Sequence, residues 1–166
     1  RLCIRHCQRH GRRRRLGLAS IAVLGLSWAL IMQSLGWAQT SYFALVKALG
    51  DEGLVVIAKA SLYRTAPQGE VLDQPDFINS ALKVETHLGP IQLLELVKSI
   101  EHELGRDPTG VRHGPRVIDI DLLMLGTEPY ESERLNLPHR EISTRRFVLE
   151  PLLEIEPGFT LPGGTS

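Results

Sequence analysis

The spacing of apolar residues changes several times along the chain, and each change predicts a different element. Residues 54–65 are rich in β-forming residues and residues 77–86 alternate between apolar and polar positions, so two strands are predicted. In residues 40–50 and 90–104 the apolar positions recur every three or four residues, which predicts two amphipathic helices. Thr40 is a candidate N-cap of the first helix and Gly50 its end, while Gly89 and Gly105 bound the second.

The same periodicity assigns a buried face and an exposed face to each predicted helix. On the first helix, Phe43, Val46 and Leu49 share the buried face. On the second helix, the buried face is predicted to comprise Leu93, Leu96, Val97, Ile100 and Leu104, and the exposed face Glu95, Lys98, Glu101 and Glu103.

The apolar run 117–125 contains two aspartates, a residue type that strands usually avoid. Because side chains on a strand alternate between faces, Asp119 and Asp121 are predicted on one face, with Cα atoms about 6 to 7 Å apart. The opposite face would carry Ile118, Ile120, Leu122 and Met124.

A buried pair of uncompensated carboxylates is costly, so Asp119 and Asp121 predict a cation site. Divalent ions with oxygen ligands suit such a pair, and magnesium joined to phosphate oxygens is the commonest case. Arg116, just before the strand, could bind a phosphate through two hydrogen bonds. The alternative is a strand end at which both carboxylates face water.

The N-terminal segment has the pattern of a targeting sequence. Seven arginines fall within residues 1–15, residues 16–32 are uncharged and mostly apolar, and residues 36–38 are a plausible cleavage site. A secretory signal or a single membrane anchor is one interpretation. Cys3, His6, Cys7 and His10 have a spacing that zinc could use, but the surrounding arginines repel a cation and no metal site is expected there.

Composition and charge narrow the possible functions. A chain of 166 residues is long enough for one sizeable core. Residues 1–50 carry 8 basic and no acidic residues, whereas residues 51–166 carry 11 basic and 19 acidic residues, so the larger part has no general affinity for nucleic acid. Both cysteines lie in the first seven residues; the rest can form no internal disulfide, and a cytoplasmic location is expected.

Residues 112–122 form the sequence RHGPRVIDIDL, and further motifs are LYRTAP at 62–67, DQPDFIN at 73–79, LPH at 137–139 and RRFVLEPL at 145–152. In order and spacing these motifs resemble those of the 6-hydroxymethyl-7,8-dihydropterin pyrophosphokinase family, whose signature is roughly R-W-G-P-R-x-[IL]-D-[IL]-D-[IL]. The resemblance extends from about residue 30 to the C-terminus. It implies an ATP-dependent diphosphotransferase of folate biosynthesis, which transfers pyrophosphate to the hydroxymethyl group of the pterin and releases AMP.

The resemblance also gives a second interpretation of the N-terminal segment. It aligns Trp28–Met32 with the family's first strand and Met32–Gly36 with its Gly-Ser-Asn-Leu-Gly loop, so residues 1–27 would be a basic extension and residues 28–166 the domain. With that strand the order of elements is β-α-β-β-α-β. This order predicts an α+β fold of the ferredoxin-like type, with an antiparallel sheet and both helices on one face.

The resemblance further implies ATP and the reduced pterin as partners and two magnesium ions held by Asp119 and Asp121. The charge of residues 51–166 leads us to expect no nucleic-acid partner, and the strand interpretation of the N-terminal segment disfavours a membrane partner. The implied catalytic residues are Arg106, Arg116, Asp119 and Asp121. The implied pterin-binding residues are Thr65, Phe77, Asn79 and Phe147. The implied nucleotide-binding residues are Glu101, Arg112, Leu122, His139 and Arg145.

Three departures from the family pattern leave alternatives open. His113 replaces the signature tryptophan, Pro108 stands where an arginine is frequent in some members, and Met32 stands where the loop glycine is expected. A glycine at that position permits backbone conformations that methionine resists. Another magnesium-dependent nucleotide transferase, or an inactive homologue with a divergent N-terminal loop, is therefore an alternative function.

Overall fold

The computed structural model of the protein describes residues 20–29, 35–66, 76–105 and 118–161. Seven strands and three helices lie in these ranges. In chain order they are β1 (Ser20–Ala29), α1 (Leu35–Asp51), β2 (Val55–Lys59), β3 (Tyr63–Thr65), β4 (Phe77–Thr86), α2 (Pro90–Glu103), β5 (Asp119–Leu125), β6 (Tyr130–Glu131), β7 (Asn136–Leu137) and α3 (Arg146–Ile155).

The main sheet is antiparallel throughout its described pairings. Its order is β2-β4-β1-β5, and β3 also pairs with β4, so the predicted single strand over residues 54–65 is divided into two short strands along the same neighbour. Between the two strands, Ala60 still contacts β4, because its N–H donates to the carbonyl of Ala81. Strands β6 and β7 form a separate hairpin.

Two layers of apolar side chains cover the two faces of the sheet. On one face, Leu24, Leu82 and Ile120 pack in a single cluster with the buried residues of α1 and α2, such as Leu45 and Leu93. This arrangement, with both helices on one face of an antiparallel sheet, confirms the predicted ferredoxin-like α+β class. The position of the helices leaves the other face for α3 and for the candidate site.

Helix α3 covers part of the second face and was not predicted. Its Leu152 lies in a cluster with Val23 of β1 and Leu123 of β5, and Val148 and Ile155 pack against this cluster. The spacing of Val148, Leu152 and Ile155 is helical and was the available signal. Glu154 fixes the helix to the sheet by accepting hydrogen bonds from the Tyr63 hydroxyl at 2.7 Å and the Ser61 hydroxyl at 2.8 Å.

The start of the predicted first strand, Trp28–Met32, is corrected by the structure, and residues 30–32 lie outside the described residues. Strand β1 spans Ser20–Ala29 and lies between β4 and β5, with Leu24 fully buried. A domain boundary between residues 27 and 28 would divide this central strand. The apolar run 16–32 contains no proline and no charged residue, so local pattern could not define the start of the strand. No helix in the part of the chain described here is long and apolar enough to span a membrane.

Helix α1 differs from its prediction in start and in orientation. It begins at Leu35, so Thr40 lies inside the helix rather than at its cap. Tyr42, Leu45 and Leu49 form its buried face, whereas Phe43 is 66% exposed. The prediction was right for Leu49, and Val46 packs against the same core, but it was wrong for Phe43, because several apolar residues in this segment are compatible with helical spacing.

Helix α2 begins and ends as the glycines predict. Pro90 is its first residue, and the Gly89 N–H donates to the Gln92 side chain. Gly105, with a φ of 95°, follows the last turn and adopts a conformation that other residues resist. Leu93, Val97 and Ile100 are buried as predicted, but Glu101 is buried as well, with only 1% of its surface exposed.

Candidate active site

Strand β5 presents two carboxylates on the face of the sheet that carries α3. Ile118, Ile120 and Leu122 belong to the core under α1 and α2, so Asp119 and Asp121 lie together on the opposite face, as predicted. The prediction was wrong for Met124. Strand β1 pairs Leu24 with Leu122 and Val23 with Met124, which leaves Leu123 as the extra residue of a β-bulge. Both Leu123 and Met124 therefore pack on the α3 side.

The environment of Asp121 disfavours a bare negative charge. Burial raises the pKa of Asp121, and the neighbouring charge of Asp119 raises it further, while Lys98, His139 and Arg145 act in the opposite direction. A divalent cation would relieve both effects. No group of three or more histidine, cysteine or acidic side chains with metal-site geometry occurs in the described ranges. The carboxylate pair Asp119 and Asp121 suits magnesium, which commonly takes one or two carboxylates and completes its shell with water and phosphate oxygens.

Two side chains of α2 contact β5 between the aspartates. The Ile120 N–H donates to Glu101 Oε1 at 2.5 Å, and Lys98 Nζ donates to the Ile120 carbonyl at 3.0 Å. Lys98 Nζ also lies 2.9 Å from Glu101 Oε1 and 3.9 Å from Asp119 Oδ1. The prediction that Glu101 and Lys98 both face solvent is wrong for Glu101, because its carboxylate serves the backbone of β5.

A cleft of about 500 Å³ opens beside the carboxylates. Helix α2 forms one wall, β5 contributes Asp121 and Leu122, and residues 134–141 form the other wall. The residues lining it include the cationic or polar side chains of Lys98, Arg134, Asn136, His139 and Arg140. A cleft lined by Asp121 and by several cations suits a polyanion bound together with a metal ion.

His139 and Arg145 lie near the carboxylates, as the predicted nucleotide-binding residues should. The His139 N–H donates to the Leu123 carbonyl at 2.9 Å, which joins residues 134–141 to β5. The His139 ring accepts a hydrogen bond at Nδ1 from the Glu141 N–H at 3.2 Å, so the neutral ring carries its proton on Nε2. Arg145 pairs with Glu141 at 2.5 Å, and its guanidinium lies 5.7 Å from the centre of the Phe147 ring.

Asn79 of β4 has a buried acceptor without a described partner. Asn79 is 2% exposed, and its Nδ2 donates to Thr65 Oγ1 at 2.7 Å. This hydrogen bond fixes the amide so that Oδ1 points elsewhere, and within the described part of the chain Oδ1 accepts no hydrogen bond. An unsatisfied buried acceptor costs about 1 to 3 kcal/mol, so a ligand that donates to it would recover that free energy.

The sheet register brings Asn79 into line with the carboxylates. Ser27 of β1 pairs with Asn79 on one side and with Asp119 on the other. Directly paired residues share a face, so Asn79 and Asp119 lie on the α3 face, two strands or about 10 Å apart. Phe77, which pairs with Thr65, is partly buried at the start of β4. Three predicted pterin-binding residues, Thr65, Phe77 and Asn79, thus occur together.

Some predicted residues lie outside the described ranges, and some residues of the cleft were not predicted. Arg106, Arg112, Arg116, His113 and residues 32–34 of the predicted loop lie outside the described residues, so their roles stay predictions, while Leu35 and Gly36 of that loop begin α1. The sequence missed Lys98, Arg134, Asn136 and Arg140 as residues of the cleft. Lys98 lies three residues before Glu101 on α2, and Arg140 follows His139, so both were adjacent to predicted residues.

Comparison with known proteins gives one consistent family. The family model described as 7,8-dihydro-6-hydroxymethylpterin-pyrophosphokinase (HPPK) matches residues 34–157. The chain is 47% identical over 113 residues to the 2-amino-4-hydroxy-6-hydroxymethyldihydropteridine pyrophosphokinase of Methylorubrum extorquens, which covers 68% of this chain and 70% of that protein. The enzyme of the same name from Bacillus subtilis is 39% identical over 131 residues, covering 78% of this chain and 77% of that protein.

Some relatives are much longer. The mitochondrial folate synthesis bifunctional protein of Pisum sativum is 44% identical over 110 residues, which cover 66% of this chain but only 21% of the pea protein. The chain thus spans about a fifth of the length of such bifunctional relatives. Since the family model covers most of the chain and includes both aspartates, the chain belongs to the 7,8-dihydro-6-hydroxymethylpterin-pyrophosphokinase family.

Proposed function

We propose that this protein transfers the pyrophosphoryl group of ATP to the hydroxymethyl group of 6-hydroxymethyl-7,8-dihydropterin, giving AMP and the pterin diphosphate for folate biosynthesis. The observation that carries the proposal is the row of the sheet that joins Asn79 to Asp119 through Ser27. A flat heterocycle bound at Asn79 would extend its substituent toward the carboxylates. The family membership supports the same substrates.

The pterin end of the site would be formed by β3, β4 and the start of α3. Asn79 Oδ1 accepts from a donor on the pterin edge, and Thr65 holds the Asn79 amide in that orientation. Phe77 and Phe147 supply partly buried aromatic surface for stacking. This assignment accounts for the unsatisfied Oδ1, which an apolar core would not tolerate.

The nucleotide end would lie in the cleft between α2 and residues 134–141. Leu94 offers apolar surface to the base, and Arg134, His139 and Arg140 bind phosphate oxygens. His139 donates from Nε2, and Arg145 lies at the N-terminus of α3 near Asp121. Arg106, Arg112 and Arg116 are proposed as further phosphate ligands from the family positions that they match.

Asp119 and Asp121 are the proposed ligands of two magnesium ions. Bound magnesium would neutralise charge on the phosphate oxygens and favour ionisation of the attacking hydroxyl. The residues of the chain hold the two substrates in line, exclude water and stabilise the leaving AMP, which is most of what phosphoryl-type transfer requires. We also retain the cytoplasm as the proposed compartment, because residues 8–166 contain no cysteine.

The test is to incubate the purified protein with ATP, magnesium and the reduced pterin alcohol, and to identify the nucleotide product. AMP together with pterin diphosphate is expected. The Asp119→Ala variant should form neither, whereas Asp51→Ala, at an exposed aspartate on α1, should retain wild-type activity. Formation of ADP would indicate a different nucleotide transferase, and no reaction would indicate an inactive homologue.

A further inference from the structure

Strand β5 lies at the edge of the main sheet, and two charged side chains bind its outer backbone. Among the described strands, β5 is hydrogen-bonded to β1 alone. On its other side, Glu101 Oε1 accepts from the Ile120 N–H and Lys98 Nζ donates to the Ile120 carbonyl. An open edge normally leaves such groups to water or to another chain. Here an ion pair on α2 takes the place of a neighbouring strand.

Ile120 separates the two aspartates, so its backbone sets their direction. The peptide group before Ile120 joins it to Asp119, and the peptide group after Ile120 joins it to Asp121. A hydrogen bond at each of these peptide groups restricts backbone rotation on either side of Ile120. The orientation of the two carboxylates toward the cleft is restricted as a result. A carboxylate pair that shares a metal ion requires such restriction, because misplacement by a fraction of an ångström weakens coordination.

The buried carboxylate of Glu101 needs the positive charge of Lys98. Glu101 is 1% exposed, and a carboxylate that is so deeply buried requires a cationic or hydrogen-bonding partner. Lys98 Nζ reaches Glu101 Oε1 at 2.9 Å while 42% of the lysine side chain remains exposed along the cleft. Lys98 is thus placed to compensate Glu101 and to remain 3.9 Å from Asp119.

We propose that Lys98 is a positioning residue, which together with Glu101 clamps the outer edge of β5 and holds Asp119 and Asp121 in the arrangement that binds divalent metal with nucleotide. The reaction this would assist rests on the proposed function. The clamp itself rests on the hydrogen bonds and ion pair of α2 with Ile120.

Substitution of Lys98 separates positioning from simple stabilisation. In Lys98→Met, the Ile120 carbonyl and Glu101 both lose the ammonium. The dissociation constant of Mn²⁺, titrated by electron paramagnetic resonance with an unreactive ATP analogue, should rise by about tenfold or more. The kcat should fall by a similar factor with the pterin KM unchanged. Lys98→Arg, which keeps charge and donors, should recover most of the metal affinity.

The matched control is Lys47→Met on α1. Lys47 also forms an ion pair with an acid on its own helix, Asp51, but both partners are well exposed. This control should change neither Mn²⁺ affinity nor kcat. Thermal unfolding of all variants in EDTA shows whether any loss of affinity follows from loss of folded protein at the assay temperature.

Unchanged Mn²⁺ affinity in Lys98→Met, with or without a lower melting temperature, would make the pair purely structural and overturn the proposal. If the methionine variant does not fold, Lys98→Gln is judged by the same criterion. Failure of the wild type to bind Mn²⁺ with nucleotide would also overturn it. A wild type that binds Mn²⁺ but forms no AMP from the pterin alcohol would contradict only the proposed function, and the titration would still decide about the clamp.

Discussion

Replacing Asp121 by asparagine should stabilise the metal-free protein and at the same time abolish pyrophosphoryl transfer. The two side chains have almost the same shape, so the change opens no cavity. In the metal-free protein, burial and the charge of Asp119 raise the pKa of Asp121, which means that the charged form is less favourable in the folded than in the unfolded state. The neutral amide avoids that unfavourable charge.

The size of the effect follows from Coulomb's law. Two residues apart on a strand, the Cα atoms of Asp119 and Asp121 lie about 6.6 Å apart, and at an effective dielectric constant of about 20 the two charges repel by about 2.5 kcal/mol. Lys98, His139 and Arg145 offset part of this repulsion. We therefore expect Asp121→Asn to gain about 1 kcal/mol in free energy of unfolding at neutral pH, or about 2 to 4 °C in melting temperature.

The gain should depend on pH in a defined direction. Because the pKa of Asp121 is raised in the folded state, the folded protein binds this proton more tightly than the unfolded chain does. The stability of the wild type therefore falls as the pH rises from the usual aspartate pKa, about 3.9, through the raised value. The asparagine variant lacks this loss, so its advantage should vanish in acid and be complete above the raised pKa.

Urea unfolding in EDTA at several pH values measures the difference, with Asp51→Asn as the control for an exposed aspartate. Magnesium with an unreactive ATP analogue should reverse the order, since it stabilises only the protein that retains both carboxylates. The reasoning is refuted if Asp121→Asn is less stable than the wild type at neutral pH without metal, or if it forms AMP at a near wild-type rate.

Three further predictions concern other parts of the structure. Asn79→Leu should weaken pterin binding by about tenfold or more while ATP-analogue binding, measured by calorimetry, stays unchanged; equal losses of both would contradict a pterin role. Leu24→Ala should lower the free energy of unfolding, measured in urea, by about 2 to 5 kcal/mol, because Leu24 is fully buried in β1. A loss below about 1 kcal/mol would contradict the central position of β1 in the sheet. The pKa of Glu154 is lowered chiefly by the hydrogen bond from Tyr63, so Glu154→Gln should reduce the melting temperature at neutral pH. The difference in melting temperature should shrink as the pH falls through the lowered pKa; a difference that does not depend on pH would contradict this prediction.

The sequence by itself determined the elements whose limits are set by local residues. Helix α2 begins at Pro90 and ends before Gly105, because proline and glycine act on the backbone of their own turn. Strand β4 spans Phe77–Thr86 as its alternation predicts. The common face of Asp119 and Asp121 follows from the period of a strand, and the motif around them was sufficient to identify the family.

Tertiary structure decided the features that depend on which elements become neighbours. The bulge at Leu123 arises from pairing with β1 and moves Met124 to the α3 face. The helical period placed Glu101 on the solvent-facing side of α2, yet its carboxylate accepts a hydrogen bond from the Ile120 N–H at the edge of β5. Local periodicity describes only the faces of one element, whereas the row from Asn79 to Asp119 requires residues 40 positions apart to pair with the same residue of β1. Contacts at that separation are fixed by the packing of the whole sheet, because no short-range preference of the chain encodes them.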